Sequence, residues 1–171
     1  MSWDVLLMSV PPDITTTENL PNDFSSELGP LPQVLSTIAA ILPDLNLANP
    51  EWGILEGDGF HMEFNIGQRD PVDTIMLHVR GGDGALRSIH RICEHTGWRA
   101  LDTTTGDFIN FAQDPTKGLR QWRTYRDRVV ASLRAEGEEV MTDVKVEAVT
   151  VTPEALATAK PKRKKWWHFW K

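Results

Sequence analysis

The centre of the chain contains a run that alternates strictly between apolar and polar side chains. In Phe60–Ile66, phenylalanine, methionine and isoleucine occupy every even-numbered position, and polar residues lie between them. A period of two is that of a half-buried β-strand, whose successive side chains point to opposite faces of a sheet. Turn-forming residues lie on both sides, Gly57-Asp58-Gly59 before the run and 67–71 after it. Links this short favour antiparallel pairing with the neighbouring strands.

Further strands are predicted around this one. Residues 52–56 precede it, and Val72–Arg80 follows with a second alternating pattern. Trp3–Val10, which ends at two prolines, predicts a first buried strand. Two more strands are predicted on either side of a turn at 103–106, at residues 98–101 and 108–111.

Three segments have helical periodicity. The first covers 31–42, and the second covers 83–97, with Asp83 as its predicted N-cap and Gly97 as its stop. The third covers roughly 118–136, with an apolar stripe made by Trp122, Tyr125, Val129 and Leu133. The resulting order β-α-β-β-β-α-β-β-α lacks strict strand–helix alternation. We therefore predict an α+β fold with three helices on a largely antiparallel sheet.

The apolar pattern also predicts the domain organisation. Residues 1–136 form the predicted globular domain, 137–159 a linker or edge strand, and 160–171 a flexible, basic, tryptophan-rich tail. The predicted core residues come from all the main elements: Val5, Leu7, Ile38, Phe64, Ile75, Leu77, Ile89, Trp98 and Trp122.

Charge is unevenly distributed along the chain. The formal net charge is −6 at pH 7, but residues 160–171 contain six basic residues and no acidic one. Residues 1–159 therefore contain 24 acidic and 12 basic residues, a net charge of −12. Because phosphate contacts need clustered cations, we expect no nucleic acid as a partner. An acidic body of this kind suits a basic protein partner.

Two further features bear on location. Met1–Asp13 has none of the basic residues of a secretory signal peptide, and no run of 18 apolar residues is present. Cys93 is the single cysteine, so neither an internal disulfide nor a Cys-based zinc site can form. We therefore expect a cytoplasmic protein.

The tail has an unusual composition. Five cations precede four aromatic rings in KPKRKKWWHFWK, and the residues expected to dock are Lys162, Arg163, Lys164, Lys165, Trp166, Trp167, Phe169 and Trp170. Tryptophan favours the membrane–water interface, and cations near an anionic leaflet add about 1 kcal/mol each. The tail therefore indicates docking on a protein or peripheral contact with an anionic membrane, at the inner membrane surface. A tail folded onto the acidic body explains the same composition.

Polar residues on two neighbouring predicted strands form the second candidate site. His61 and Glu63 share one strand face, and His78 and Arg80 share a face of another. If these strands pair, the four side chains could converge on a metal or an anion. An exposed polar sheet face explains the same alternation. Because no metal-binding motif such as HExxH is present, we expect no metal and no cofactor.

Other polar groups have structural explanations. Cys93 lies on the apolar stripe of the second helix, where a free cysteine packs as a small hydrophobe. The glycines at 81, 82 and 84 predict a tight turn from strand to helix, since they do not form a P-loop. Asp102 and Asp107 are expected to hold a hairpin turn, and the arginines of the third helix are expected to pair with the protein's own carboxylates.

Five stretches carry a resemblance to known proteins. They are Trp3-Asp4, Pro50-Glu51-Trp52-Gly53, FNIG at 64–67, DPVDTIMLHVRGG at 70–82 and GWRALDTTTGDFINF at 97–111. Together they resemble a family of small uncharacterised bacterial proteins, over about residues 1–130. The resemblance implies a bacterial single-domain protein and no catalytic residues. In general type, small and acidic with an antiparallel core, the chain is also similar to immunity proteins of bacterial toxin systems.

These observations favour a non-catalytic interaction protein, with an immunity-type inhibitor of a basic protein as its most concrete form. The first alternative is a membrane-peripheral adaptor that docks through its tail. The second alternative is a metal-dependent enzyme that uses His61, Glu63, His78 and Arg80.

Overall fold

The computed structural model describes the backbone of residues 1–143 and the side chains of residues 1–135. It contains one six-stranded sheet in which every pair of neighbouring strands is antiparallel, in the order β2-β3-β4-β5-β1-β6. The strands are β1 (Trp3–Met8), β2 (Asn46–Asn49), β3 (Trp52–Gly57), β4 (Phe60–Asn65), β5 (Thr74–Gly81) and β6 (Arg99–Asp102).

Three α-helices accompany the sheet: α1 (Leu31–Ile41), α2 (Gly84–Thr96) and α3 (Lys117–Asp143). Pro32 lies in the first turn of α1, and Gly97 ends α2 in the left-handed conformation, with φ of 75°. Residues Met1–Ala131 form one compact unit, which holds the sheet and both sites described below. The predicted α+β fold, with an antiparallel sheet and three helices, is confirmed.

The helices pack on one face of the sheet. Ile38 of α1, Ile89 of α2, and Leu119 with Trp122 of α3 join one apolar cluster with the inward side chains of β1, β4 and β5. All nine predicted core residues are buried. Complete burial of a side chain as large as Leu or Phe contributes about 1.5–3 kcal/mol, so this face supplies most of the apolar stabilisation.

The opposite face of the sheet has two parts. At β1 and β6 a smaller cluster of Val10, Leu101 and Phe108 packs against the long loop after β1 and against Leu6, which lies at the boundary between the two parts. We call the remaining part, over β3, β4, β5 and the start of β1, the open face. It consists of Asp4, Leu6, Trp52, Ile54, Glu56, His61, Glu63, Asn65, Met76, His78 and Arg80. All of these residues are exposed or half-buried.

Four sequence predictions differ from the structure. β1 ends at Met8 rather than Val10, and β2 was not predicted, because it is a short polar strand with a register irregularity. Residues 108–111 are not a strand, since a single bridge joins Phe108 to Leu101. Asp83 precedes α2, but its side chain makes no capping hydrogen bond.

The third helix departs from its prediction in two ways. It extends to Asp143, beyond the predicted end near 136. Trp122 is buried as predicted, but Tyr125 and Leu133 have about 60% exposed side chains. Val129 is half-buried, so the stripe prediction was wrong for Tyr125 and Leu133. The tail at 160–171 and most of the predicted linker lie outside the described residues.

Candidate functional site

The strand register brings the four predicted sheet residues together. His61 of β4 lies directly opposite Arg80 of β5, and Glu63 lies directly opposite His78. Directly opposed side chains on one sheet face are about 5 Å apart at Cβ, close enough to interact. The pairing on which the sequence prediction depended is therefore present, and all four side chains lie on the open face.

Glu63 accepts two hydrogen bonds. Its Oε1 lies 2.5 Å from Arg80 Nη1 and 3.1 Å from His61 Nε2. The hydrogen bond from Arg80 is the largest influence and lowers the pKa of Glu63; burial opposes it, and the weaker hydrogen bond from His61 lowers the pKa further. Glu63 is thus an ionised carboxylate whose rotamer is fixed by two donors.

His61 bridges two carboxylates. Its Nδ1 lies 2.6 Å from Glu56 Oε1, while its Nε2 contacts Glu63. A neutral imidazole can donate through only one nitrogen, so both contacts are satisfied together by the imidazolium form. Glu56 is the largest influence that raises the pKa of His61 above its usual value of 6.5, and partial burial opposes it. We call Glu56, His61, Glu63 and Arg80 the carboxylate network.

His78 belongs to a separate group. Its Nδ1 lies 2.8 Å from Asp4 Oδ1, and its ring stacks on Trp52 with centroids 5.7 Å apart. Ser2 Oγ also donates to Asp4 Oδ1, at 2.8 Å. A Ser–His–Asp triad needs the hydroxyl against the histidine, whereas here it contacts the aspartate. The group therefore lacks the geometry of an activated nucleophile.

The arrangement has consequences for metal binding. Within residues 1–135, no group of three or more His, Cys, Asp or Glu side chains is placed to hold a metal ion. Both nitrogens of His61 are already directed at carboxylates, so it offers no free lone pair to a metal in this geometry. The open face thus presents ion pairs suited to recognition of a charged group.

A cleft of about 690 Å³ lies elsewhere, beside the turn after β6 and the start of α3. Asp102 lines it and is 3% exposed. The Oδ1 of Asp102 accepts the Thr104 N–H at 2.8 Å, and its backbone pairs with Gly106 and Asp107. These contacts form the hairpin turn that was predicted for this segment. They involve the backbone and Oδ1 of Asp102, whereas its Oδ2 is buried without a hydrogen-bond partner among the described residues.

The glycine turn and three helix arginines, Arg120, Arg123 and Arg126, also have the predicted structural roles. A Cβ on Gly81 would overlap the carbonyl oxygen of Gly59, so glycine is needed where these two turns meet. Arg120 pairs with Asp114, and Arg123 pairs with Asp83. These arginines are therefore largely neutralised by the protein's own carboxylates.

Sequence reasoning missed Asp4, Trp52 and Glu56. Glu56 lies just before the turn that opens β4, and the hairpin alternation could have placed it opposite His61. Asp4 contacts His78 across 74 residues of chain, and no local pattern could have revealed that contact. The tail docking residues, from Lys162 to Trp170, lie outside the described residues.

No helix in the described part of the chain is long and apolar enough to cross a membrane. Comparison with known proteins found no matching family model, no matching curated protein and no matching solved structure.

Proposed function

We propose that this chain is a non-catalytic interaction protein that binds a basic protein partner. An immunity-type inhibitor of a bacterial toxin is the most concrete form of this function. The observation that carries the proposal is the segregation of charge within the folded unit.

The acidic charge is concentrated in the first 83 residues of the unit Met1–Ala131. Residues 1–83, which include strands β1 to β5 and the long loop, contain 13 acidic and 2 basic residues, a net charge of −11. Residues 84–131 contain 5 acidic and 8 basic residues, a net charge of +3. The sheet half thus supplies a field that attracts a basic partner and accelerates its association.

The open face supports recognition better than catalysis. Two carboxylates raise the pKa of His61 and occupy both of its ring nitrogens, so it is poorly placed to act as a base. The metal-dependent alternative would need Glu63 and His61 to leave these ion pairs before they could bind a metal. Metal analysis of the purified protein, with His61→Ala and His78→Ala variants, tests that alternative directly.

Co-expression with the product of the adjacent gene tests the proposed function. The expected result is a complex that co-purifies, together with relief of any growth defect that the adjacent product causes alone. A non-toxic adjacent product would remove the immunity form, and the absence of any complex would remove the interaction with that product.

A second candidate is a membrane-peripheral adaptor. The composition of the tail supports it, because Lys162–Lys165 could contact anionic lipid headgroups while Trp166, Trp167 and Trp170 enter the interface. Vesicle binding, described in the Discussion, separates this candidate from the first.

A further inference from the structure

One row of open-face residues is largely apolar. Trp52 lies opposite Asn65, Asn65 opposite Met76, and Met76 opposite Leu6, across four strands in sequence. A groove of about 310 Å³ lies at the Leu6 end of this row, lined by Leu6, Asn65, Ile66, Arg69, Asp73, Thr74 and Met76. Aromatic residues and methionine are enriched at the centres of protein interfaces.

Ile54 extends this apolar surface towards the carboxylate network. It has an exposed fraction of 37% and lies directly opposite Glu63. Glu56, on the same strand face two residues further on, has a side chain that is 71% exposed. An apolar centre therefore borders a carboxylate that solvent and a partner can reach.

The polar groups around this centre are already ordered. Glu63 is fixed by Arg80 and His61, and the Trp52 ring is stacked on His78. Ordering a flexible side chain on binding costs about 0.5–1.5 kcal/mol, so groups that are held in place before binding lose less. Glu63 and Trp52 are thus held in place by their neighbours before a partner binds.

The local charge selects the partner. Residues 51–80, which contain β3, β4 and β5, include six acidic and two basic residues, a net charge of −4. Arg80, Arg69 and His61 are each paired with a carboxylate, and with the His61 imidazolium counted these residues still have a net charge of −3. A cationic group near Glu56 is therefore favoured, whereas an anionic group is repelled.

We infer that the open face is the docking surface for a basic protein segment in which Arg or Lys side chains flank an aliphatic residue. The aliphatic side chain lies in the groove between Leu6 and Met76. The cation pairs with Glu56, which exchanges its contact with His61 for one with the partner. This inference rests on the proposed function and adds the location and chemistry of the contact.

The test uses the full-length protein labelled with ¹⁵N and an eight-residue peptide that alternates Arg and Leu. A matched peptide with Glu in place of Arg serves as the control probe. The expected result is that the Arg peptide shifts the Trp52 indole resonance and the amide resonances of Ile54 and His61, whereas the Glu peptide does not. Shifts confined to the loop at 13–30 or to α3, or no binding of the Arg peptide, would overturn the inference.

Two charge reversals quantify the contact. Glu56→Lys should weaken binding of the Arg peptide about 10-fold, in the range of interface residues that matter for affinity. Glu94→Lys makes the same change in net charge on an exposed position of α2, and it should weaken binding less than about 3-fold. Equal losses in the two variants would show that net charge alone attracts the peptide and would overturn the docking site.

Failure of the docking surface can be distinguished from failure of the proposed function. If the adjacent gene product forms a complex that Glu56→Lys and Ile54→Ser leave intact, the interaction function stands and the docking surface is wrong. If neither a complex nor peptide binding is observed, both proposals fail. Circular dichroism of each variant shows whether a loss of binding comes from unfolding.

Discussion

At the start of α3, the Asp102 carboxylate occupies the space that a side chain at Gly118 would fill. A Cβ atom on Gly118 would overlap Oδ2 of Asp102, and the same carboxylate is held by the Thr104 N–H at 2.8 Å. Asp102 is almost completely buried, so it has little freedom to move aside. This contact fixes the first turn of α3 against the end of β6.

We therefore predict that Gly118→Ala destabilises the domain. Overpacking costs about 1–3 kcal/mol, which exceeds the roughly 1 kcal/mol that Ala gains over Gly from helix propensity. Urea denaturation should show a net loss of up to about 2 kcal/mol. In an Asp102→Ala background the same change should be neutral or stabilising. An equal loss in both backgrounds would contradict the contact.

The carboxylate network predicts the pH behaviour of His61. Because Glu56 and Glu63 raise its pKa above 6.5, the imidazolium stabilises the folded state below the unfolded pKa, and that contribution is lost as pH rises through the folded pKa. NMR titration should give a pKa above 6.5 that falls in Glu56→Gln.

Stability measurements provide an independent check on the same network. His61→Gln should reduce the free energy of unfolding more at pH 6 than at pH 9. A His61 pKa below 6.5, or a loss of stability that grows with pH, would contradict the assigned ion pairs.

The single cysteine should be unreactive in the folded protein. Burial raises the pKa of Cys93 to about 12, so almost no thiolate is present at neutral pH. A thiol reagent at pH 8 should label the native protein far more slowly than the protein in denaturant. Because the chain has one cysteine, the signal is assigned without mutagenesis. Equally fast labelling in both states would show that the thiol is accessible.

The tail should bind anionic vesicles through both charge and rings. Attraction by the cations is screened over about 8 Å at physiological salt, whereas insertion of the rings is not. Trp166, Trp167 and Trp170 changed together to Ala should therefore remove the salt-resistant fraction. Reversal of Lys162, Arg163, Lys164 and Lys165 to Glu should abolish binding at low salt.

Co-sedimentation with anionic and neutral vesicles measures this binding. If the isolated tail peptide binds anionic vesicles and the intact protein does not, the acidic domain sequesters the tail. If neither binds, the membrane hypothesis is wrong and a protein receptor is the better explanation.

The sequence predicted the parts of the fold that local patterns encode. The alternation in β4 and β5 fixed which side chains face the core, so Phe64 and Leu77 were placed correctly. β2 was missed because it has only four residues, two of which are asparagines. Asn46 Oδ1 also accepts the Ala48 N–H within the strand. Pairing with β3 stabilises β2, and that effect cannot be read from four residues.

The site was predicted in part for the same reason. Strand alternation placed His61, Glu63, His78 and Arg80 on one face, and the hairpin register brought them together. The contact between Asp4 and His78 depends on β1 entering the sheet beside β5. The pairing of β1 with β5 is determined by packing of the whole core, and it cannot be predicted from the sequence of either strand alone.

The most direct test of the central claim is calorimetric titration of the full-length protein with the adjacent gene product over a range of salt concentrations. We expect a one-to-one complex whose Kd rises with salt and rises further in Glu56→Lys, with little change in Glu94→Lys. A tight complex that is insensitive to salt and to both substitutions would contradict it, as would the absence of binding at low salt.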